Sequence, residues 1–385
     1  NIQYARHLLL DASCAATAIM IYHVIRIMGA PVDRATAECI YTGIATDTGC
    51  FKYANTSPEA HRIAAELMET ALGKWGAALS VCAACVAAAG NLRTLALALI
   101  YITFIGSMLI ANDMALITFL PLGYFALTTA KQEKHMAYIF ILQNISANLG
   151  GMLTPFGNPQ NLYLYSYFSI PTGEFTAIML PPFCLAVAML TVCCLLLPAA
   201  RLEIDGGFPE RLNLRRTALY LALFAFSILI VFRVVPFWLG LMLIPAVLLF
   251  ADRDALRAVD YPLLLTFVMF FIFAGNASRI EVLHDLLAGW LAKSTLLVST
   301  LSCQFISNVP SAILLSRFTD NYRELLLGVN IGGTGTLIAS LASLITYSEF
   351  KLLRPAEGKK YFRMFTLLNV IFLAVLTAAA YWLFR

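Results

Sequence analysis

Two polar, glycine-rich interruptions of long apolar segments constrain this chain more than any other feature. The first, Gln143–Tyr165, holds four Asn, two Gln, three Gly and two Pro, and carries no charge. The second, Gly328–Tyr347, has Gly332–Gly333 where the first has Gly150–Gly151. Inside a membrane, an unwound turn survives only where it is buried in protein or lines a wet cavity. Such interruptions in two corresponding segments indicate a binding site between two related halves.

A second repeated feature precedes each interruption. The segment Leu109–Leu122 places Asn112 between two apolar arms, and Phe305–Leu315 places Asn308 in the same way. An apolar–polar–apolar pattern of this length predicts a re-entrant hairpin with a polar tip. The order of hairpin and then broken helix therefore occurs twice.

Composition places the chain in the membrane. Of its 385 residues, 60% are hydrophobic and 12% are charged, whereas a soluble domain has about 25% charged residues. The sequence therefore predicts an all-α polytopic membrane protein. The net charge of +4 comes from basic residues in short loops, which argues against nucleic acid as a partner.

Charge is unevenly distributed along the chain. Residues 1–72 carry 12 Asp, Glu, Lys and Arg, and the other 313 residues carry 36. We therefore predict a small soluble segment over 1–72, a first and truncated repeat over 73–200, a cytoplasmic linker over 201–216, and a second repeat over 217–385.

The soluble segment resembles the DHH phosphoesterase family. The resemblance rests on Gly43–Gly49, Phe51, Tyr53, Asn55–Thr56 and Ala64–Leu67. It implies a small α/β remnant in which Asp47 stands where the family has a manganese-binding aspartate. The Asp-His-His signature is absent, and a two-metal site needs several ligands, so we expect a vestigial segment that would require manganese only if it were active.

The apolar runs predict a set of membrane segments. Their bounds are Gly76–Ala89, Leu95–Ala111, Met114–Thr129, Met136–Tyr165, Phe175–Leu197, Thr217–Phe232, Phe237–Ala251, Tyr261–Ala274, Leu291–Leu315, Tyr322–Tyr347 and Tyr361–Phe384. Basic loops favour the cytoplasm. We assume that each hairpin enters and leaves the membrane on the same side and that each broken helix crosses it once. All the basic loops are then cytoplasmic, namely 131–134, 201–216, 253–257 and 351–363. The two hairpins then open to opposite sides, as an inverted repeat requires.

These features resemble the superfamily of arsenite permeases, sodium/proton antiporters and sodium–dicarboxylate symporters over about 91–385. The motifs that carry the resemblance are Ser107–Leu122, Ala147–Tyr165, Ser307–Ser316 and Gly328–Tyr347. It is strongest to the arsenical-pump-like branch, often labelled citrate-transporter-like. It implies an inverted-repeat transporter with two re-entrant hairpins and two broken helices, in which the first repeat here lacks about two helices.

The tips and breaks together predict a binding site of Asn112, Asp113, Gly150, Gly151, Thr154, Gly157, Asn158, Asn308, Gly332, Gly333, Thr334, Gly335, Thr336 and Ser340. The glycines permit unwinding, and the hydroxyls and amides of this set could bind an anion together with the half-helix N-termini. The resemblance implies that each tip and its facing break form a cation site, although Asn amides also join membrane helices without binding ligands. Asp113 is an intramembrane carboxylate, which is a functional hypothesis by default; pairing with a distant Lys or Arg, or a place at the water boundary, is the alternative.

The sequence therefore predicts an ion-coupled secondary transporter of an organic or inorganic anion, of the citrate/dicarboxylate or arsenite class, working by alternating access. Sodium or protons would be the coupling ion, without a cofactor. A sodium/proton antiporter, a membrane-tethered DHH-type phosphoesterase and a non-functional fusion fragment are the alternatives. We expect a multi-pass protein of a bacterial-type cytoplasmic membrane, whose partners are its small anionic or oxyanion substrate, the lipid bilayer and a second copy in a homodimer.

Overall fold

The computed structural model describes residues 14–47, parts of 57–67, 89–200, 202, 214–253, 256 and 261–383. The chain forms two compact units, one of residues 1–81 with 208–212 and one of residues 82–207 with 213–385. The described residues contain helices and no strand. The predicted span Gly76–Ala89 and most of the predicted linker lie outside them.

Two helices of the first unit have described bounds, α1 (Thr17–Ile27) and α2 (Arg34–Asp47). Buried apolar residues recur on each at helical spacing, with Ile19 and Tyr22 on α1 and Ile40 and Ile44 on α2. The described part of this segment contains helices and turns but no strand, so the expected α/β character finds no support there. Asp47 ends α2, and its side chain lies outside the described part.

The second unit is a bundle of helices. In chain order they are α3 (Leu92–Ile110), α4 (Asn112–Thr129), α5 (Met136–Gly150), α6 (Pro159–Tyr167), α7 (Thr172–Leu195), α8 (Leu214–Val231), α9 (Phe237–Ala251), α10 (Tyr261–Ala277), α11 (Glu281–Lys293), α12 (Thr295–Ile306), α13 (Asn308–Leu315), α14 (Tyr322–Ile331), α15 (Leu341–Leu353) and α16 (Gly358–Leu383).

Four helical segments of the described chain are long and apolar enough to cross a membrane: Leu92–Ile110, Glu133–Leu153, Thr172–Leu195 and Pro355–Leu383. A fifth arises if α10 and α11, which meet at a bend of 97°, are counted as one span. These segments agree with a polytopic membrane protein.

Helix α5 lies at the centre of the bundle. Fourteen of its residues are buried, including the polar Gln143, Asn144, Ser146 and Asn148. Helix α14 is buried over Leu325–Ile331 in the same way. A helix that is buried on all sides and carries polar residues must pair them internally, so both helices bring hydrogen-bonding groups into the core.

The packing of the bundle follows one pattern twice. Helices α3, α4, α5, α6 and α7 correspond to α12, α13, α14, α15 and α16. Within each set the first two helices pack on each other and both pack on the third. Between the sets, α4 packs on α15 as α13 packs on α6. Every one of these contacts therefore has a counterpart in the other half.

The turns inside the two helix pairs have the same unusual backbone. Ala111, between α3 and α4, has φ 67° and ψ 150°. Ser307, between α12 and α13, has φ 71° and ψ 161°. A residue with a side chain rarely adopts this region, which stores strain and occurs mostly at functional sites. The strain lies directly before Asn112 and Asn308.

Candidate functional site

Both predicted helix interruptions are present, and each ends at a capping residue. The first runs from the end of α5 at Gly150 through a short 3₁₀ turn, Gly151–Leu153, to Asn158, the N-cap of α6. The second runs from the end of α14 at Ile331 to Ser340, the N-cap of α15. We call these segments break 1 (151–158) and break 2 (332–340).

Each break is tied to the other half through one Asn. Ser340 donates a hydrogen bond of 2.7 Å to Oδ1 of Asn148. In the other direction, Nδ2 of Asn158 donates to Oδ1 of Asn330 at 3.3 Å. Asn148 and Asn330 both stand two residues before a Gly-Gly pair. The N-cap of each second half-helix is thus held by the Asn that precedes the opposite break.

One side-chain amide collects the free carbonyls of each break. At break 1, Nδ2 of Asn161 donates to the carbonyls of Gly151, Met152 and Thr154 at 3.0, 3.3 and 3.2 Å. Unwound backbone exposes such carbonyls, and leaving them unpaired in a core is costly. An amide at this place stabilises the unwound turn.

Gln304 of α12 has the same role at break 2. Its Nε2 donates to the carbonyls of Gly332 and Thr334 at 2.9 and 3.1 Å. Its Oε1 accepts from the N–H of Thr336 at 2.9 Å. Gln304 and Asn161 were not predicted from the sequence, and neither were Asn148 and Asn330. Repetition of the pattern Asn-x-Gly-Gly was the signal available for the last two.

The tip of the first hairpin reaches both halves. Nδ2 of Asn112 donates to Oδ1 of Asn148 at 3.1 Å. Helix α4, which begins with Asn112 and Asp113, packs on α15 of the opposite half. Oδ1 of Asp113 is buried and has no hydrogen-bond partner.

The tip of the second hairpin meets the same region. The N–H of Asn308 donates to the carbonyl of Ala339 at 2.9 Å, and Nδ2 of Asn308 lies 3.0 Å from where a Cβ on Gly333 would be. Both tips therefore converge on the start of α15. Val309 holds the position that Asp113 holds in the first tip, so the two tips differ in charge.

Two of the predicted glycines are required by close packing. A Cβ on Gly150 would come within 2.4 Å of the carbonyl oxygen of Phe104 and of the Ser107 hydroxyl, and one on Gly332 within 2.8 Å of the Cys303 sulfur. Ser107 and Cys303 lie at matching positions on α3 and α12. These glycines let the first arm of each hairpin touch its broken helix.

The predicted hydroxyl groups have structural bonds. Thr154 donates to the carbonyl of Met108 at 2.7 Å, Thr334 to that of Ile331 at 2.7 Å, and Thr336 to that of Gln304 at 3.1 Å. Their hydrogens are thus used to fix the breaks, and what they offer a ligand is an acceptor oxygen. Gly335 has φ +115°, which a glycine allows within break 2, and Gly157 lies packed on Gly151.

The unpartnered buried atoms of the site are all oxygen acceptors. They are Oδ1 of Asn112, Oδ1 of Asp113, Oδ1 of Asn158 and Oε1 of Gln160. Hard cations take carboxylate, amide and backbone oxygens as ligands. The residues present therefore fit a bound sodium ion or a ligand that brings hydrogen-bond donors.

A cavity of about 450 Å³ lies beside the first tip. Its lining comes from the tip at Ala111, from Phe156 in break 1, and from α8, including Phe224, Ser227 and Ile228. The wall is largely apolar.

The metal prediction at Asp47 falls on a side chain that lies outside the described residues. No group of three or more His, Cys, Asp and Glu that could hold a metal ion occurs among them. A hydrolytic two-metal centre needs such a group. The candidate site in the described chain is therefore the amide-rich region where breaks 1 and 2 meet, which we call the crossing.

Comparison with known proteins agrees with this description. Residues 12–322 match the citrate transporter family. An uncharacterized transporter of Methanocaldococcus jannaschii is 35% identical over 252 residues, which is 65% of this chain and 69% of the relative. The inner membrane protein YbiR of Escherichia coli is 30% identical over 291 residues, covering 72% and 74% of the two chains.

A further match is short. The bifunctional oligoribonuclease and PAP phosphatase NrnA of Thermus thermophilus is 43% identical over 68 residues. This is 18% of the present chain and 21% of that protein. The match agrees with the resemblance to DHH phosphoesterases but covers too little of that protein to indicate its activity here.

Proposed function

The chain belongs to the citrate transporter family, and from this premise we propose that it is an ion-coupled secondary transporter of a small anion or oxyacid. It is a multi-pass membrane protein and a transporter rather than an enzyme, since its family and its long relatives are transporters or membrane proteins. Beyond membership of this family, we propose the coupling of transport to an ion, the class of substrate and the location of the binding site. We also propose that the protein lies in a bacterial-type cytoplasmic membrane.

The observation that carries the proposal is the crossed pair of hydrogen bonds, Ser340 to Asn148 and Asn158 to Asn330. It joins two breaks that occupy corresponding positions in two similarly packed halves. Transporters built from inverted repeats bind substrate near the midplane, between half-helices. The crossing of breaks 1 and 2 is the place in this bundle that meets this description.

Ion pairs between the halves support the inverted topology. Glu174, at the start of α7, pairs with Arg323 at 2.6 Å, and Arg354, after α15, pairs with Glu133 before α5. The basic loops place the first pair outside and the second in the cytoplasm. In each ion pair, both residues are thus predicted to lie on the same side of the membrane, and they contact each other in the structure. This agreement is what two hairpins that open to opposite sides of the membrane would require.

We assign the coupling ion to the first tip. The carbonyls of break 1 are taken by Asn161 and those of break 2 by Gln304, whereas Oδ1 of Asn112 and Oδ1 of Asp113 are free acceptors. Sodium would be held by these two oxygens, or a proton by the carboxylate. The second tip offers Asn308 alone, since Val309 provides no ligand.

The substrate would bind beside the tips, in reach of the first turns of α6 and α15. The residues that would face it are Asn112, Asn158, Thr154, Thr334 and Ser340. The substrate classes that fit these uncharged side chains are organic carboxylates and inorganic oxyacids. A homodimer through helices outside the crossing, α8 to α11, is part of the proposal.

The test is uptake by the purified full chain in proteoliposomes. Labelled citrate, succinate and arsenite would be offered under an inward sodium gradient, an inward proton gradient, or neither. We expect uptake of one substrate to require one gradient, and Asn112→Ala to lower the apparent affinity for the ion at least about tenfold, which is 1.4 kcal/mol. Asn276→Ala, at an exposed position of α10, is the matched control.

Two results would change the assignment. Sodium-driven proton movement without any substrate would favour the sodium/proton antiporter of the same superfamily, for which Asp113 supplies the titratable group. Uptake that needs no gradient in the wild type would contradict coupling itself.

A further inference from the structure

A second cavity, of about 520 Å³, lies at the start of α16. It is lined by three basic residues and three uncharged ones, which are Lys359, Lys360, Arg363, Ala356, Met364 and Leu367. None of these residues belongs to the crossing or to the hairpin tips. The three basic side chains are exposed, so the cavity presents positive charge to whatever surrounds the bundle.

The lining residues follow one face of α16. Lys359, Arg363 and Leu367 are four positions apart, and residues with this spacing lie one above the other on a helix. The buried face of the same helix carries Tyr361 and Phe365, whereas Leu367 is 62% exposed. Along the exposed face, basic side chains therefore come first and apolar ones follow. This order suits a ligand that has a negative head and an apolar tail.

The basic residues lie at the boundary of the predicted membrane span. The segment Pro355–Leu383 is long and apolar enough to cross a membrane, and residues 364–383 contain no Asp, Glu, Lys or Arg. These 20 residues form about 30 Å of helix, which is the thickness of the hydrocarbon core. Residues 359–363 then stand at the level of the lipid phosphates, on the side that the basic loops assign to the cytoplasm.

The positive charge of this cavity is not neutralised within the described chain. Glu357 is the only acidic residue of the segment that spans the membrane, and it pairs with Arg354 at 3.1 Å and with Lys360 at 3.8 Å. Lys359 and Arg363 have no acidic partner among the described residues. The helix dipole adds further positive potential to the first turn of α16. An anion from outside the chain would stabilise this arrangement.

We propose that the cavity at the start of α16 is a binding site for an anionic phospholipid of the cytoplasmic leaflet. Lys359 and Arg363 bind the phosphate of the headgroup, and Met364 and Leu367 contact the upper part of the acyl chains. Basic clusters directly cytoplasmic of a membrane helix attract anionic lipids in this way. The inference goes beyond the proposed function, because it depends on neither the transported substrate nor the coupling ion.

The test measures the binding of lipid to the full chain. Purified protein in micelles of a neutral detergent is titrated with phosphatidylglycerol or with phosphatidylcholine of the same acyl chains, which differ in the net charge of the headgroup. Native mass spectrometry gives the apparent affinity of the first bound lipid. We expect the wild type to bind phosphatidylglycerol at least about tenfold more tightly than phosphatidylcholine, and Lys359→Gln/Arg363→Gln to lose at least about tenfold of the affinity for phosphatidylglycerol alone.

Two control variants separate this site from a general effect of charge. Lys131→Gln/Lys134→Gln removes the same two charges from exposed positions in another loop that is predicted to be cytoplasmic, and it should leave both affinities unchanged. Lys359→Arg/Arg363→Lys keeps both charges in the cavity and should bind phosphatidylglycerol as the wild type does. All variants are compared as monodisperse fractions from gel filtration.

Inorganic phosphate distinguishes a lipid from a free anion. Added at the same concentration as the lipid, it should not displace phosphatidylglycerol from the wild type, because it makes no contact with Met364 and Leu367. Displacement by phosphate would assign the cavity to a free anion and overturn the proposal. Equal binding of the two lipids by the wild type, or equal losses in the two glutamine double variants, would overturn it as well.

Discussion

Ser340 donates a hydrogen bond of 2.7 Å to Oδ1 of Asn148, and the same oxygen accepts from Nδ2 of Asn112 at 3.1 Å. One acceptor thus joins the first hairpin tip, the helix before break 1 and the N-cap after break 2. All three side chains are at most 3% exposed. Movement of either half against the other must keep these bonds or exchange them for bonds to a ligand.

Ser340→Ala tests how much the hydrogen bond between Ser340 and Asn148 contributes to stability. The substitution removes one donor to Asn148, which keeps its bond from Asn112. We expect the free energy of unfolding to fall by about 1 kcal/mol, within the range for hydrogen bonds between membrane helices. Chemical denaturation in mixed micelles would measure it. Ser348→Ala, at an exposed position of the same helix, should change stability little, and equal effects of the two variants would contradict the role of the junction.

Ala111→Gly tests the strain at the first tip. Ala111 has φ 67°, a conformation that costs a non-glycine residue about 1–3 kcal/mol. Glycine removes the strain, so we expect the variant to be as stable as the wild type or more stable. Thermal unfolding followed by a tryptophan or thiol probe would report the change.

The matched control for Ala111→Gly is Ala177→Gly. Ala177 lies on an exposed face inside helix α7, where glycine costs about 1 kcal/mol relative to alanine. The two substitutions are chemically identical and should have opposite signs. A loss of stability at both positions would show that the backbone of Ala111 is not strained.

The sequence predicted the helix breaks because their causes are local. Glycine pairs permit unwinding, and prolines disfavour a continuous helix. The polar residue between apolar arms likewise located both tips, at Asn112 and Asn308. These features need no knowledge of what packs against them.

The pairing of polar groups could not be predicted in the same way. Asn161 and Gln304 look like ordinary polar residues of their helices, and their roles follow from carbonyls that only the folded breaks expose. Asn330 meets Asn161 across 169 positions of sequence. Such partners are fixed by tertiary packing, which a single sequence does not specify.

The N-terminal segment shows another limit. A resemblance over a short slice suggested an α/β remnant, but the described part is helical, with Ile19 and Tyr22 facing Ile40 and Ile44. Apolar residues at helical spacing bury well between two helices without a sheet.

Gly150→Ala tests the close approach of α5 to α3. The new methyl group would come within 2.4 Å of the Phe104 carbonyl oxygen, a backbone atom that cannot rotate away. Overpacking of this kind costs about 1–3 kcal/mol. We expect lower thermal stability and slower uptake in proteoliposomes.

Gly275→Ala is the control for Gly150→Ala. Gly275 lies inside α10, and a Cβ there would meet nothing within 4 Å, so alanine should stabilise this helix by up to about 1 kcal/mol. Similar losses at both positions would mean that the effect of Gly150→Ala is general to membrane glycines and not due to the contact with Phe104.

Gln304→Met tests the amide that collects the carbonyls of break 2. Methionine has a similar volume, and it is the residue at the matching position of α3, Met108. The variant leaves the carbonyls of Gly332 and Thr334 and the N–H of Thr336 without their partner, and each unsatisfied buried group costs about 1–3 kcal/mol. We expect amide hydrogen exchange over residues 333–337 to accelerate at least about tenfold, a local change of 1.4 kcal/mol.

Gln132→Met, which removes a side-chain oxygen without a partner, should leave exchange in that segment unchanged. Unchanged exchange in Gln304→Met as well would mean that break 2 holds its shape without this amide.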